Sequence, residues 1–154
     1  MTATTDEIDP LALENQVCFA LAVAARSVIA LYRPLLEPMG LTHPQYLVML
    51  ALWSDEPLSV TELSGMLALD PGTLSPLLKR LEAQGYVERR RVPGNERTLA
   101  VTLTAAGRAL RADAERIPPA IVERLGMPLE ELLRLHGDLT AVIAAAATEP
   151  STAS

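Results

Sequence analysis

Cysteine occurs once in these 154 residues, at position 18, and histidine twice, at 43 and 136. One thiol excludes an intrachain disulfide and any cysteine-rich metal site, and two histidines so far apart make a poor start for a ligand set. No metal and no cofactor are expected. No stretch reaches 18 uninterrupted apolar residues, and the opening Met1 to Glu7 lacks the basic and apolar regions of a signal peptide. That points to a soluble, cytoplasmic chain with no membrane attachment. No cofactor fingerprint is present, nor a paired acid and base at useful spacing, so an enzyme is not expected. No internal repeat or linker divides the chain, which is of single-domain length. Apolar residues at 49% and charged residues at 21% are ordinary for a globular core.

A net charge of −6 argues against a whole-surface grip on nucleic acid, but the average hides a segment of opposite sign. Between 79 and 97, six cations (Lys79, Arg80, Arg89, Arg90, Arg91, Arg97) face three acids (Glu82, Glu88, Glu96), a balance of +3 that leaves −9 for the rest. An acidic body with one basic segment suits local contact with phosphate; a merely solvated hairpin is the competing reading.

Asp9-Pro10 reads as an N-cap with proline at the first helical position, opening a long helix through Leu36 that Pro34 should kink or end near Tyr32 before Gly40 closes the segment. Thr42 to Gln45 and Ser59 to Glu62 have capping-box spacing and predict helices from 42 to about 53 and from about 60. Asp70-Pro71 caps a fourth helix whose Leu74, Leu77, Leu78 and Leu81 form a buried stripe. The opposite face carries Gly72, Ser75, Pro76, Lys79, Arg80 and Ala83, a surface of small residues and cations. Tyr86 to Arg91 and Thr98 to Leu103 then flank Pro93-Gly94-Asn95 as a two-stranded hairpin with a basic tip. Thr104 caps a fifth helix to about Arg116, Ile117-Pro118-Pro119 interrupts it before it resumes to Leu125, and Gly126-Met127-Pro128 turns into a last helix from Leu129 to Ala147. Residues 1–8 and 148–154 are expected to be disordered tails.

Short helix, turn, second helix, basic hairpin: this order is a winged helix-turn-helix. Small groups allow approach to the major groove, where Gly72, Thr73, Ser75, Pro76, Lys79 and Arg80 would lie, while Arg89, Arg91, Asn95 and Arg97 would serve the wing. A protein-interaction module is the alternative for such a fold.

With Leu77-Leu78-Lys79-Arg80-Leu81-Glu82, Gly85-Tyr86-Val87, Asn95-Glu96-Arg97, Leu103-Thr104 and Gly107 in place, the chain resembles the MarR family of transcription regulators over nearly its whole length. Cys18-Phe19, Tyr32-Arg33-Pro34-Leu35-Leu36, Leu41-Thr42-His43-Pro44-Gln45-Tyr46 with Trp53, and Thr73 to Arg80 make it most similar to the OhrR group, the organic-hydroperoxide-sensing repressors. The resemblance implies a mainly α fold with a small β wing: one domain over 1–154, with a winged helix-turn-helix at about 42–103 and dimerisation helices at about 10–40 and 104–147. It further implies a homodimer on palindromic double-stranded operator DNA, released when an organic hydroperoxide oxidises Cys18. Tyr32 and His43 would complete the redox site, and Phe19, Ala22 and Tyr46 the sensor pocket. With no second cysteine, oxidised Cys18 is expected to end as a mixed disulfide with a low-molecular-weight thiol, a sulfenamide or an over-oxidised acid, as in the one-cysteine type.

Three positions depart from the group's pattern, which usually has tyrosine at 22 and 43 and aspartate at 95. His43 could supply the lost hydrogen bond or, as a cation, favour the thiolate; it could equally be a plain helix residue. Cys18 and Tyr32 lie about 21 Å apart along one helix and about 40° apart around it. They can meet only across an antiparallel pair of helices crossing near residue 25, where Ala22, Ala24 and Ala25 permit close approach. An inert, buried Cys18 in a regulator gated by a small aromatic or anionic ligand is the alternative.

Overall fold

The computed structural model describes residues 9–147, without the side chains of Glu14, Asn95, Glu96 and Arg97. The expected tails, 1–8 and 148–154, lie outside the described residues. The elements are α1 (Val17–Leu36), α2 (His43–Ser54), β1 (Leu58–Ser59), α3 (Val60–Leu67), α4 (Pro71–Ala83), β2 (Val87–Val92), β3 (Asn95–Leu103), α5 (Ala105–Ala114), α6 (Ile117–Leu125) and α7 (Leu129–Ala147). This is the mainly helical, winged helix-turn-helix architecture that the spacing predicts.

Side-chain caps set most of the helix starts. Thr42 Oγ1 accepts from the Gln45 amide while Gln45 Oε1 accepts from the Thr42 amide, and Ser59 and Glu62 repeat the exchange. Asp70 accepts from the Thr73 amide at 2.9 Å and Thr104 from the Gly107 amide at 3.1 Å. The start of α1 departs from expectation, and of the two outcomes expected at Pro34 the helix does not end near Tyr32. It begins at Val17, not at residue 10, because Asp9 Oδ1 accepts from the Leu11 amide and the side chains of Asn15 and Gln16 donate to the carbonyls of Asp9 and Pro10. These local bonds hold residues 9–16 in turns. It also runs through Pro34 to Leu36: the proline cannot donate to the Ala30 carbonyl, but one bond in the last turn is a small loss.

The hairpin is longer than its flanking alternation implies and gains a third strand, in the antiparallel order β1-β3-β2. Ser59, read only as a cap, also pairs with Ala100, and Leu58 with Val101. Contacts divide the described chain into two compact units, one through Ile117 and one from Pro118. In the first, Leu36, Val48, Met49, Leu52, Leu63, Leu74, Leu78, Leu81 and Val101 are wholly buried, each worth about 1.5–3 kcal/mol. In the second, α7 buries no residue and leaves Leu129, Leu133, Leu135, Val142 and Ile143 exposed.

One clasp joins the hairpin to α5. Thr104 donates its amide to the Tyr86 carbonyl and its hydroxyl to the Gly85 carbonyl. Gly107 sits so close that an added Cβ would lie 2.1 Å from the Tyr86 oxygen, a backbone atom unable to swing away. Trp53 Nε1 donates to the Gly107 carbonyl from the other side at 2.9 Å. Gly107→Ala should therefore destabilise the fold by about 2–3 kcal/mol; urea unfolding at neutral pH that shows a parental midpoint would contradict this packing.

Candidate functional site

Of the α4 leucine stripe Leu74, Leu78 and Leu81 are buried while Leu77, at its edge, is only half-buried, and the opposite face is exposed at Gly72, Thr73, Pro76, Lys79, Arg80 and Ala83, with Ser75 half-buried. Pro76 cannot donate to the Gly72 carbonyl, and its ring adds a compact apolar group to this face of small side chains. Thr73 is less free than expected: its amide and its hydroxyl both donate to the Asp70 carboxylate. Those bonds hold the Asp70 carboxyl below the usual carboxylate range. Lys79 and Arg80 form no ion pair among the described residues, which leaves their charges outward.

On the hairpin, Arg91 is exposed and Arg90 pairs with Glu88 at 2.8 Å. Arg89 turns inward and donates from Nε to Glu82 in the last turn of α4. The side chains of Asn95 and Arg97, expected at the tip, lie outside the described residues. Sequence reasoning counted Glu82 only as a charge; the signal for its role was an acid in a cationic helix end, seven residues before the arginine it meets.

A second network was not foreseen. Glu56 Oε2 accepts from the Leu103 amide at 2.7 Å and its Oε1 from the Arg108 guanidinium at 2.7 Å. Burial alone would raise the Glu56 carboxyl, but the backbone bond and the arginine bring it below its usual range. These partners stand 47 and 52 residues away in sequence, so no local pattern announces them.

Tyr32, His43 and Tyr46, picked from scattered motifs, form one aromatic cluster. The Tyr32 and His43 ring centroids are 4.8 Å apart in an edge-on arrangement, and Tyr32 and Tyr46 are 5.8 Å apart. Burial raises both phenols, Tyr46 also by its proximity to Tyr32, so both keep their hydroxyl protons at neutral pH. Burial lowers His43 below 6.5. In the single chain this burial works against the cationic role considered for His43 and favours the uncharged imidazole, which offers one donor and one acceptor. Beside the cluster, Ile29, Arg33, Leu36, Glu37, Leu41, Thr42, His43 and Pro44 line an open cleft of about 420 Å³.

Cys18 is exposed, not buried in an apolar face. Ala22, Ala25 and Ile29, the residues that follow it on the same side of α1, are exposed as well, and Phe19 is 40% exposed. The single chain thus keeps its thiol and its aromatic cluster apart, at opposite ends of one uncovered helix face. Among the described residues no group of three or more His, Cys, Asp or Glu is placed to hold a metal ion.

Residues 41–99 match the MarR family model. Over 138 residues the chain is 44% identical to the HTH-type transcriptional regulator TtmR of Methylorubrum extorquens, covering 90% of this chain and 71% of that protein. The chain belongs to the MarR family. It is also 40% identical over 134 residues to the organic hydroperoxide resistance transcriptional regulator of Bacillus subtilis, covering 87% of this chain and 91% of that one. Among solved structures, reduced AbfR bound to DNA superposes with a TM-score of 0.72 at 32% identity, covering 88% of this chain and 94% of that one. This MarR chain is a transcriptional regulator, as these relatives are.

Because burial holds His43 below its unfolded value, the unfolded chain binds more protons as pH drops, and stability is lost as pH falls from about 6.5 through the folded value. His43→Gln should flatten that loss. Urea midpoints measured at pH 7 and pH 5.5 check it, and parallel drops in parent and variant would refute it.

Proposed function

We propose that this regulator is a homodimeric, cytoplasmic repressor that binds palindromic double-stranded DNA, senses organic hydroperoxides by oxidation of Cys18 and then releases its operator. The observation that carries the reading is the uncovered face of α1, which runs from Cys18 past Ala22 and Ala25 to the Tyr32, His43 and Tyr46 cluster. A second copy crossing antiparallel near residue 25 sets the Cys18 of one chain against the aromatic cluster of the other. The protonated Tyr32 hydroxyl then donates to the thiolate, and the neutral His43 adds a second polar group where Ala22 leaves room. The thiolate attacks the terminal peroxide oxygen, the O–O bond breaks, and the alkoxide leaves as an alcohol after taking a proton. Cys18 becomes a sulfenic acid, which condenses with a low-molecular-weight thiol to a mixed disulfide and water.

The same crossing accounts for the apolar surface of α1. Val17–Met39 is long and apolar enough, by composition, to cross a membrane. Arg26 stands near its middle, however, and an arginine at a bilayer centre costs about 2.5–3.5 kcal/mol. A partner helix covers the apolar side without burying that charge. Dimerisation helices at about 10–40 and 104–147 fit this surface and the exposed leucines of α7, within one MarR domain over 1–154. On the DNA side, Gly72, Ser75, Pro76, Lys79 and Arg80 face the major groove with Thr73 at their edge, and Arg91, Asn95 and Arg97 serve the wing.

The cleft beside His43 supports a second reading, in which a small aromatic anion held by Arg33 gates the repressor and Cys18 is structural. A gel shift on the DNA upstream of its own coding sequence separates the two. Cumene hydroperoxide should abolish the parent's shift and leave that of Cys18→Ser intact, with salicylate affecting neither. Release of both proteins by salicylate, with no response to peroxide, would establish the second reading instead.

A further inference from the structure

Among the cations of the basic segment, Arg89 behaves differently from its neighbours. Its side chain is 20% exposed, against 72% for Arg90, and it donates to Glu82, itself 36% exposed. The two residues bracket the junction of α4 and the wing. Between them the chain reverses through Gln84, Gly85 with φ +81°, and Tyr86, whose amide returns to the Leu81 carbonyl. Across the hairpin Arg89 is opposite Val101, which is wholly buried, so both side chains lie on the inner face of the sheet and the root of the wing is fixed there by packing and by this ion pair together.

The geometry matters because the wing is a lever. From Arg89 to Val92, the last residue before the turn at Pro93 and Gly94, is three residue steps, about 10 Å of strand, and the turn carries the tip to about 12 Å. A rotation of about 10° at the root moves the tip by about 2 Å, more than the tolerance of a hydrogen bond to phosphate. We propose that Glu82 and Arg89 are a positioning pair that sets the angle of the wing on α4, so that an acid at the edge of a DNA-facing surface strengthens DNA binding. This rests on the DNA interface described above, but its sign is opposite to that interface's simple electrostatics. Glu82 repels phosphate, and by charge alone its neutralisation would tighten binding. If Arg89 were instead a phosphate contact restrained by Glu82, freeing it would also tighten binding.

The test compares four proteins by fluorescence anisotropy on a labelled duplex from upstream of the coding sequence, over a salt series, with thermal melting as the fold control. Lys79→Ala, which removes an outward cation, should weaken binding and lower the salt slope by about one. Glu82→Gln should weaken binding by about tenfold, the effect of losing one charge-assisted hydrogen bond, with its melting temperature close to the parent's. The exchange Glu82→Arg with Arg89→Glu, which keeps the net charge, should restore most of the affinity. Tighter or unchanged binding by Glu82→Gln while Lys79→Ala weakens it overturns the positioning role, as does a lowered melting temperature with parental affinity. If Lys79→Ala binds as the parent does, the DNA interface itself is misplaced and the pair has no wing to aim at DNA.

Discussion

Leu74, Leu78 and Leu81 have no exposed surface, and a helix turns about 100° per residue, so burying these three side chains decides where every other residue of α4 points. Gly72, Pro76, Lys79, Arg80 and Ala83 are driven outward by that one constraint. The cost of rolling the helix would be several leucine burials at about 1.5–3 kcal/mol each, far beyond what surface ion pairs at about 0–1 kcal/mol could offset. The basic face is therefore held by apolar packing beneath it, and its own charges need contribute nothing to the fold. This is why Lys79 and Arg80 can stand without an ion pair among the described residues and remain available to a ligand.

Around that helix the structure places its polar contacts at joints. The Thr104 and Gly107 clasp fixes the end of β3 to the start of β2, Glu56 ties the Leu103 amide to Arg108, and Tyr86 donates its hydroxyl to the Met39 carbonyl. Each of these bonds joins elements distant in sequence, and together they brace the wing root against α2 and α5. Burial alone would raise the one acid in these contacts, Glu56, but the Leu103 amide and Arg108 hold its carboxyl below the usual range. A wing braced at its base transmits displacement where a loose one would absorb it.

What the sequence makes legible follows from how local each cause is. The capping boxes at Thr42 and Ser59 and the caps at Asp70 and Thr104 involve residues three apart, and each is found where its spacing puts it. The α4 stripe depends only on periodicity. Asp9-Pro10 misled because the same carboxylate that can cap a helix is captured two residues on by the Leu11 amide, a competition that spacing does not rank. The two-residue β1 is too short to show alternation, and the Glu56 and Arg108 pair joins positions 52 apart. His43 was legible as a member of the cluster but not in its charge, since its ionisation depends on burial by partners the sequence does not locate.

The division of the proposed sensor within one chain carries a further consequence. Cys18 and Tyr32 share a helix face yet stand about 21 Å apart, so no bending of a single α1 brings the thiol to the phenol. If oxidation is read there, it is read at the crossing of two helices, where Ala22 and Ala25 leave the backbones room to approach and a larger oxidised sulfur has none to spare. Relief then requires the two copies of α1 to shift against each other. Each α1 leads into α2 by the tight turn at Gly40, and α2 packs on α3 and α4, so a shift at the crossing displaces both basic faces together. A palindromic site has a fixed half-site spacing, and two rigid faces that move apart cannot both stay in register with it.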